Sequence, residues 1–456
     1  MSASNEKDSR PNILYIVTDQ QSWDMMSCAG NKYVNTPALD RMAANGVRFT
    51  NAYCPNPLCV PSRMSMVTGR MPSEMNMHEN NSQDSVIPPE FAETGLGHLM
   101  NAAGYDTAFA GKTHLGRHLN LDMVGFDNYL TKDEREECAR VTADFIKQDR
   151  DKPFFLITNL INPHDICHMA IRAHPVREFD FIILKKCVTE QEMLDEALKL
   201  PEGVDEETFF KEYCPPVPPN YDPIEGEPQA MQDYLDKRPF MRWIRENWTD
   251  EDWRMHRWAY ARLTERVDRE IATIMEALEE TGQWENTIVV FSSDHGDNDA
   301  SYRTEHKSLP YDSSAKIPFI VSRKGMARSG ETDERLVMNS LDFFATACDY
   351  AGIEKPATKP GMSVRPLVEG KETPWRDTLV VETELGRMIR NDRYKYIVFE
   401  CGAEQLLDLQ EDPWETKNVI GDPALADVTA DLKKKLYDYV HSINDPFGTQ
   451  YVKKPA

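Results

Sequence analysis

The sequence predicts an α/β fold: a large, mixed but mostly parallel central sheet flanked by helices, with a small α+β subdomain at the C-terminal end. Three observations predict it. Asn12–Thr18 (NILYIVT), Phe154–Asn159 (FFLITN) and Thr287–Ser292 (TIVVFS) are continuous apolar runs rich in β-branched and aromatic residues, the pattern of strands buried on both faces of a parallel sheet. Each run ends in polar residues of ligand type, namely Asp19, Pro163-His164 and Asp294-His295-Gly296-Asp297, and α/β proteins assemble their chemistry at such strand ends. A long helical pattern leads into the third run, the alternation that a sheet covered by helices requires.

A polar leader (MSASNEKDSR) precedes the first strand. Cys59–Thr68 reads as a helix-like stretch closed by Gly69. Residues 185–246 break the strand-and-helix grammar, and Cys214–Pro228 carries six prolines in fifteen residues. That stretch can be neither strand nor helix, so 185–246 is expected to be an irregular insertion that overhangs the site. Asp250–Thr281 is the clearest helix: Tyr260, Leu263, Val267, Ile271, Ile274 and Leu278 form one apolar stripe. Thr249 with Asp252 makes its N-terminal cap and Gly282 its C-terminal stop. Trp253, Trp258 and Tyr260 are expected to pack in the core. Beyond about residue 360, Thr378–Glu384 and Arg387–Phe399 read as short alternating strands and Val428–Ser442 as an amphipathic helix. The expected division is a catalytic domain over 11–360 and a smaller subdomain over 361–456.

Composition narrows the function. The 456 residues carry 52 Lys+Arg against 76 Asp+Glu, a net charge of −24, which argues against a nucleic-acid or anionic-membrane partner. The longest apolar runs, among them Phe154–Ile157, Phe181–Leu184 and Thr287–Phe291, fall far short of the roughly 20 residues that membrane insertion needs. Nine scattered cysteines with no C-x-x-C pair fit reduced thiols. The N-terminus has no apolar signal region, so the chain as written reads as cytoplasmic, or as periplasmic if a signal has been removed.

The most specific motif is Cys59-Val60-Pro61-Ser62-Arg63, followed by Thr68-Gly69-Arg70. By chance, C-x-P-S-R is expected in about one chain in a thousand of this length. Placed at a helix N-terminus, Cys59 faces unpaired N–H groups that favour an anion. Arg63, one turn on, is expected to aim a bidentate cation at a tetrahedral oxyanion.

These residues resemble the formylglycine-dependent sulfatases of the alkaline phosphatase superfamily, whose remaining motifs follow in order. Asp19 matches the first metal carboxylate, and Gln20 stands where many members have a second Asp. Gly111-Lys112-Thr113-His114-Leu115-Gly116, Pro163-His164, Asp294-His295-Gly296 and Lys307-Ser308-Leu309-Pro310-Tyr311-Asp312 match the later ones. The resemblance implies an alkaline phosphatase-like fold and conversion of Cys59 to formylglycine by a formylglycine-generating enzyme. It implies one divalent cation held by Asp19, Gln20, residue 59, Asp294 and His295, with calcium favoured and manganese the alternative. The donors suit this: carboxylate and amide oxygens are hard and the imidazole is borderline. The diol of the modified residue would attack sulfur among Arg63, Lys112 and Lys307. By analogy His164 stands at the leaving-group oxygen, and His114 takes the proton that regenerates the aldehyde. His295 and Gln20 also resemble the phosphonate monoester and phosphodiester hydrolases of the superfamily, in which an asparagine contacts substrate; Asn80 or Asn81 could do so here. Asp297 is either an acid behind the ligands or a loop carboxylate. His78, Cys167, His168, Asp299 and His306 are assigned nothing beyond lining the pocket. The expected reaction is hydrolysis of an organic sulfate ester, by family habit a sulfated carbohydrate, with phosphonate or phosphodiester hydrolysis as the alternative. A non-catalytic anion- or glycan-binding role is disfavoured because nucleophile, ligands and cations are all present.

Overall fold

The computed structural model describes residues 10–82, 85–175 and 185–455; the run Phe181–Leu184 and nearly all of the polar leader lie outside them. Among the described residues, nine strands form the main sheet: β1 (Asn12–Asp19), β2 (Gly46–Tyr53), β3 (Asp106–Gly111), β4 (Asn128–Thr131), β5 (Phe154–Pro163), β6 (Thr287–Ser293), β7 (Lys316–Ile317), β8 (Phe319–Ser322) and β9 (Glu331–Met338). Their order is β4-β3-β5-β1-β6-β8-β2-β7, with β9 also paired to β2. The block from β4 to β6 is parallel. Antiparallel pairing enters at β8, which makes the sheet mixed, as expected.

The three predicted strands are the central ones, and burial on both faces explains their continuous apolar character. Ile13, Tyr15 and Val17 of β1 face a core shared with Met64, Val67 and Phe343 of the helices Cys59–Thr68 and Asn339–Tyr350. Leu14 and Ile16 face the other way, onto Ile271, Ile274 and Leu278 of the helix Asp250–Glu280. Register then does the functional work. Asp19 lies level with Pro163, and Thr18 with Ser293, so Asp19, His164 and Asp294 leave the sheet side by side.

The helix Asp250–Glu280 begins and ends where the sequence places it. Thr249 Oγ1 accepts from the Asp252 N–H at 3.2 Å and Asp252 Oδ2 accepts from the Thr249 N–H at 2.8 Å; Gly282 takes a left-handed φ of 66° beyond its last turn. One residue sits badly on this helix. Glu270 is buried, both its carboxylate oxygens lack hydrogen-bond partners, and Arg266 Nε approaches only to 4.0 Å. Burial pushes its carboxyl up to about 8. The folded state therefore holds this proton more tightly than the unfolded chain, and stability falls as pH rises from the ordinary carboxylate range towards 8. We expect Glu270→Gln to leave the melting temperature nearly unchanged at pH 5. At pH 8 the substitution should stabilise the protein, by about 1–3 kcal/mol. An equal shift at both pH values would refute the burial argument.

The insertion over 185–246 is more helical than expected. Val188–Ala197, Gln229–Asp236 and Pro239–Asn247 are helices, and a helical turn spans Glu206–Thr208 and continues through Phe209–Tyr213. The second of these buries Ala230, Met231, Tyr234 and Leu235 on one side, a pattern too short to stand out beside the proline-rich tract. Residues 215–228 are irregular, as predicted. Their carbonyls are satisfied by side chains instead of a ladder: Arg254 donates to Pro215 O at 3.0 Å and to Cys214 O at 3.1 Å, and Arg257 donates to Pro216 O.

Near the C-terminus, β10 (Leu379–Thr383), β11 (Gly386–Arg390), β12 (Tyr394–Phe399) and β13 (Glu404–Asp408) form an antiparallel sheet in sequence order. The helix Ala426–Ser442 lays Leu432, Leu436 and Val440 against Val380, Ile389 and Val398. Buried polar ties join this sheet to the loop beyond β6 and to β2: Lys395 Nζ reaches Asp312 Oδ1 at 2.5 Å and Arg390 Nη1 reaches Tyr53 OH at 2.6 Å.

Candidate active site

Cys59 is the first residue of its helix and is fully buried. The Val60 N–H in the same first turn donates to Asn80 Oδ1 at 3.0 Å, so Asn80 caps the helix that Cys59 begins with the carbonyl of its side chain. Asn81 is exposed beside it. The helix stops at Gly69, whose φ of 64° and approach to the Phe344 ring, 2.8 Å from where a Cβ would stand, leave no room for another residue.

Around Cys59 Sγ the strand ends converge. His295 Nε2 lies at 3.2 Å, Lys307 Nζ at 3.1 Å and Asp19 Oδ1 at 3.8 Å, and His164 is near enough for the thiol to act on its ring. Burial and Asp19 push the thiol up. Lys307, Lys112 and His295 outweigh them and hold it well below the ordinary thiol range. The position is built for an anion.

Arg63 is turned differently from the expectation. Its Nε meets Asp294 Oδ2 at 2.9 Å, its Nη2 meets Asp19 Oδ2 at 2.8 Å and its Nη1 donates to Lys112 O at 3.2 Å. The guanidinium is therefore spent on two carboxylates and a carbonyl, and is not free for a substrate oxyanion. One helical turn below Cys59, its side chain points into the sheet, where β1 and β6 end. Lys112 Nζ takes a second place on Asp19 Oδ2 at 2.7 Å.

This division of labour tests the site as a metal centre. The Oδ2 atoms are tied to Arg63 and Lys112, whereas the Oδ1 atoms of Asp19 and Asp294 lie 3.9 and 3.5 Å from His295 Nε2. His295 Nδ1 pairs with Gly296 O at 2.9 Å, which leaves Nε2 with its lone pair turned inward. Ligand atoms of Asp19, Cys59, Asp294 and His295 all lie within 4.8 Å of one another. Burial and the neighbouring Asp19 raise Asp294, while Lys112, His164, Arg63 and Lys307 overcome burial to hold Asp19 well below the carboxylate range. Two inward oxygens, an oriented imidazole and residue 59 fit one divalent cation.

Gln20, at a φ of 70°, supports this centre. Its N–H donates to Asp294 Oδ1 at 3.1 Å, its Oε1 accepts from Lys307 Nζ at 2.8 Å and from the Cys167 thiol at 3.1 Å, and its Nε2 donates to Asp297 Oδ2 at 2.5 Å. Lys307 is thus aimed between Gln20 and Cys59.

The sequence profile of the family described as Sulfatase matches residues 11–353, and that described as N-sulphoglucosamine sulphohydrolase, C-terminal, matches 301–442. The chain belongs to the sulfatase family. It is 29% identical to the Delta 4,5-hexuronate-2-O-sulfatase of Bacteroides thetaiotaomicron, over 98% of this chain and 92% of that protein. Among solved structures, a 2-O GAG sulfatase superposes with a TM-score of 0.80 at 28% identity, covering 96% of this chain and 93% of the other. The phosphonate monoester hydrolase of Agrobacterium radiobacter shares the fold, with a TM-score of 0.71 at 21% identity over 96% and 97% of the two chains. The chain is a sulfuric ester hydrolase on the alkaline phosphatase-like scaffold.

In this sulfatase the two candidate histidines do not share the site equally. His164 follows β5 into the cluster, and burial with Lys112 and Lys307 lowers its ring to about 3; it is uncharged at neutral pH and accepts a proton before it can give one. His114 lies on the loop after β3, exposed, with a φ of 39°. The groups bonded to the Cys59 thiol are Asp19, His295 and Lys307; His164 enters the same buried cluster, and His114 stands outside it on the exposed loop. Tyr260 is a partner that reading for a core residue missed. Its hydroxyl donates to Gln20 O at 2.6 Å and accepts from the Ser22 N–H at 2.8 Å. A helical stripe shows which residues point inward; it carries no signal for a hydroxyl that spans the core and reaches the site. Among the described residues no helix is long and apolar enough to cross a membrane.

Proposed function

We propose that this sulfatase cleaves the sulfate ester of a sulfated carbohydrate with residue 59 in its formylglycine form. The observation that carries the reading is the place of Cys59: a helix start where Lys307, His295 and Asp19 converge on one buried side-chain atom. The hydrated aldehyde would supply an oxygen nucleophile in place of the thiol. A divalent cation held by Asp19, Asp294, His295 and residue 59, calcium or manganese, would add Lewis-acid charge. Lys307 and Lys112 bind the oxygens of the entering sulfate group and keep it aligned. His164, uncharged, accepts the proton that residue 59 releases on attacking sulfur and gives it to the alcohol oxygen that leaves as the ester S–O bond breaks. Arg63 holds both metal carboxylates in place, and Asn80 fixes the start of the nucleophile helix. The sugar class is supported by the hexuronate sulfatase that the chain matches over 98% of its length.

Mass spectrometry of the peptide containing Cys59, from protein made beside a formylglycine-generating enzyme, tests the reading. Aldehyde or its hydrate is expected, and an intact thiol in active enzyme would overturn it. On matched aryl sulfate and aryl phosphonate esters, kcat/KM should favour the sulfate by about tenfold or more. A reversed ratio would hand the site to phosphonate hydrolysis.

A further inference from the structure

Behind Gln20 lies a second group of metal-type side chains that the reaction does not use. A ring nitrogen of His256, on the helix Asp250–Glu280, and carboxylate oxygens of Asp297 and Glu305, in the loop after β6, all lie within 4.8 Å of one another, and all three residues are buried. Their bonding is incomplete. Neither ring nitrogen of His256 makes a hydrogen bond, and Glu305 Oε1 has none. Asp299 Oδ1 stands 3.5 Å from His256 Nδ1, in ion-pair range without hydrogen-bond geometry, while Arg257 Nε takes Asp299 Oδ2 at 2.9 Å. The Trp248, Trp253 and Tyr260 rings surround the imidazole, so water does not solvate these groups. Buried polar atoms left without partners are costly. The other oxygen, Glu305 Oε2, is paired with His306 Nδ1, and burial outweighs His256 and Lys307 to push the carboxyl up to about 8.

We propose that His256, Asp297 and Glu305 form a second divalent-cation site, separate from the one at residue 59. One imidazole and two carboxylates are a mixed, borderline donor set, which selects zinc or manganese. A small cavity of about 30 Å³ lined by Ser22, Asp24, Arg257, Asp297 and Asp299 leads to Asp297 from outside and has room for an entering ion. The second cation bears on the first site through one side chain. Gln20 Nε2 donates to Asp297 Oδ2 while Gln20 Oε1 accepts from Lys307, so a cation that fixes Asp297 also fixes the amide that aims Lys307.

The test counts metal. Full-length protein is stripped with chelator, reloaded with zinc or with manganese alone, desalted, and measured by plasma mass spectrometry in four forms: wild type, Asp294→Asn, Glu305→Gln and His256→Gln. Wild type is expected to retain one equivalent more than Glu305→Gln or His256→Gln. Asp294→Asn is expected to keep the second-site equivalent, and X-ray absorption of the metal in it should show one nitrogen among oxygen ligands. Glu305→Gln preserves shape while removing the carboxylate charge and one ligand oxygen, so it decides the matter if His256→Gln fails to fold. Folded Glu305→Gln protein with the wild-type metal content, or Asp294→Asn protein that takes up neither metal, would overturn the proposal. Neither result touches the assignment of Cys59, which rests on the peptide mass.

Discussion

Cys59→Ala is expected to remove sulfate-ester turnover, by about a thousandfold or more in kcat, because it deletes the side chain that the proposed conversion to formylglycine needs. The fold should survive. Cys59 is a small side chain at a helix start, and the loss of its thiol costs about 1 kcal/mol or less of packing. Lys307 and Lys112 also lose the thiolate they favour, which lowers the thermal midpoint somewhat without unfolding the protein. The measurements are kcat on an aryl sulfate and the thermal midpoint by circular dichroism. Turnover within tenfold of wild type in folded Cys59→Ala protein would end the formylglycine reading, because no other described residue joins Lys307 and His295 at the same point.

Arg63→Met is expected to destabilise the protein by about 3–5 kcal/mol, the magnitude for removing one partner of a buried ion network. Arg63 is buried, as are Asp19 and Asp294, and its Nη2 and Nε pair with the two carboxylates at 2.8 and 2.9 Å. Methionine preserves volume but leaves two like charges facing each other in a dry site, with Lys112 as the remaining close cation on Asp19. Because the loss comes from unmatched anions, adding Asp294→Asn should restore part of it, and the double mutant should be more stable than the sum of the single effects. Urea unfolding of the four proteins measures this cycle. If Arg63→Met unfolds at the wild-type midpoint, or if the two effects simply add, the guanidinium is not neutralising the carboxylates. Activity should fall with stability, since the same contact keeps the inward oxygens pointed at the cation site.

Much of the fold was legible because its signals are local. Continuous apolar runs mark strands covered on both sides, and β1, β5 and β6 are such strands. The Thr249–Asp252 cap and Gly282 bounded the long helix within a residue, since capping involves neighbours along the chain. Short helices such as Gln229–Asp236 were hidden: two turns carry too few periodic positions to outweigh six nearby prolines. At the site, the residue types of Asp19, Cys59, Lys112, His164, Asp294, His295 and Lys307 could be read from motifs, and the structure brings all seven together. The place of Asn80 near the motif is visible in the sequence, while its bond to the Val60 N–H appears only in the structure.

The sequence by itself determined the sheet, the C-x-P-S-R position at a helix start and the family, because each depends on side-chain periodicity or on a few adjacent residues. Tertiary structure decided which group faces which. It turned Arg63 onto the carboxylates, put His164 at Cys59 with His114 outside, ran the Tyr260 hydroxyl through to Gln20, and gathered His256, Asp297 and Glu305 into one pocket. Those outcomes rest on the register of β5 and β6 against β1 and on how a long helix lies across the sheet. Such register and packing are set by burying apolar faces that are hundreds of residues apart in the chain, and no local pattern records where the polar ends then meet.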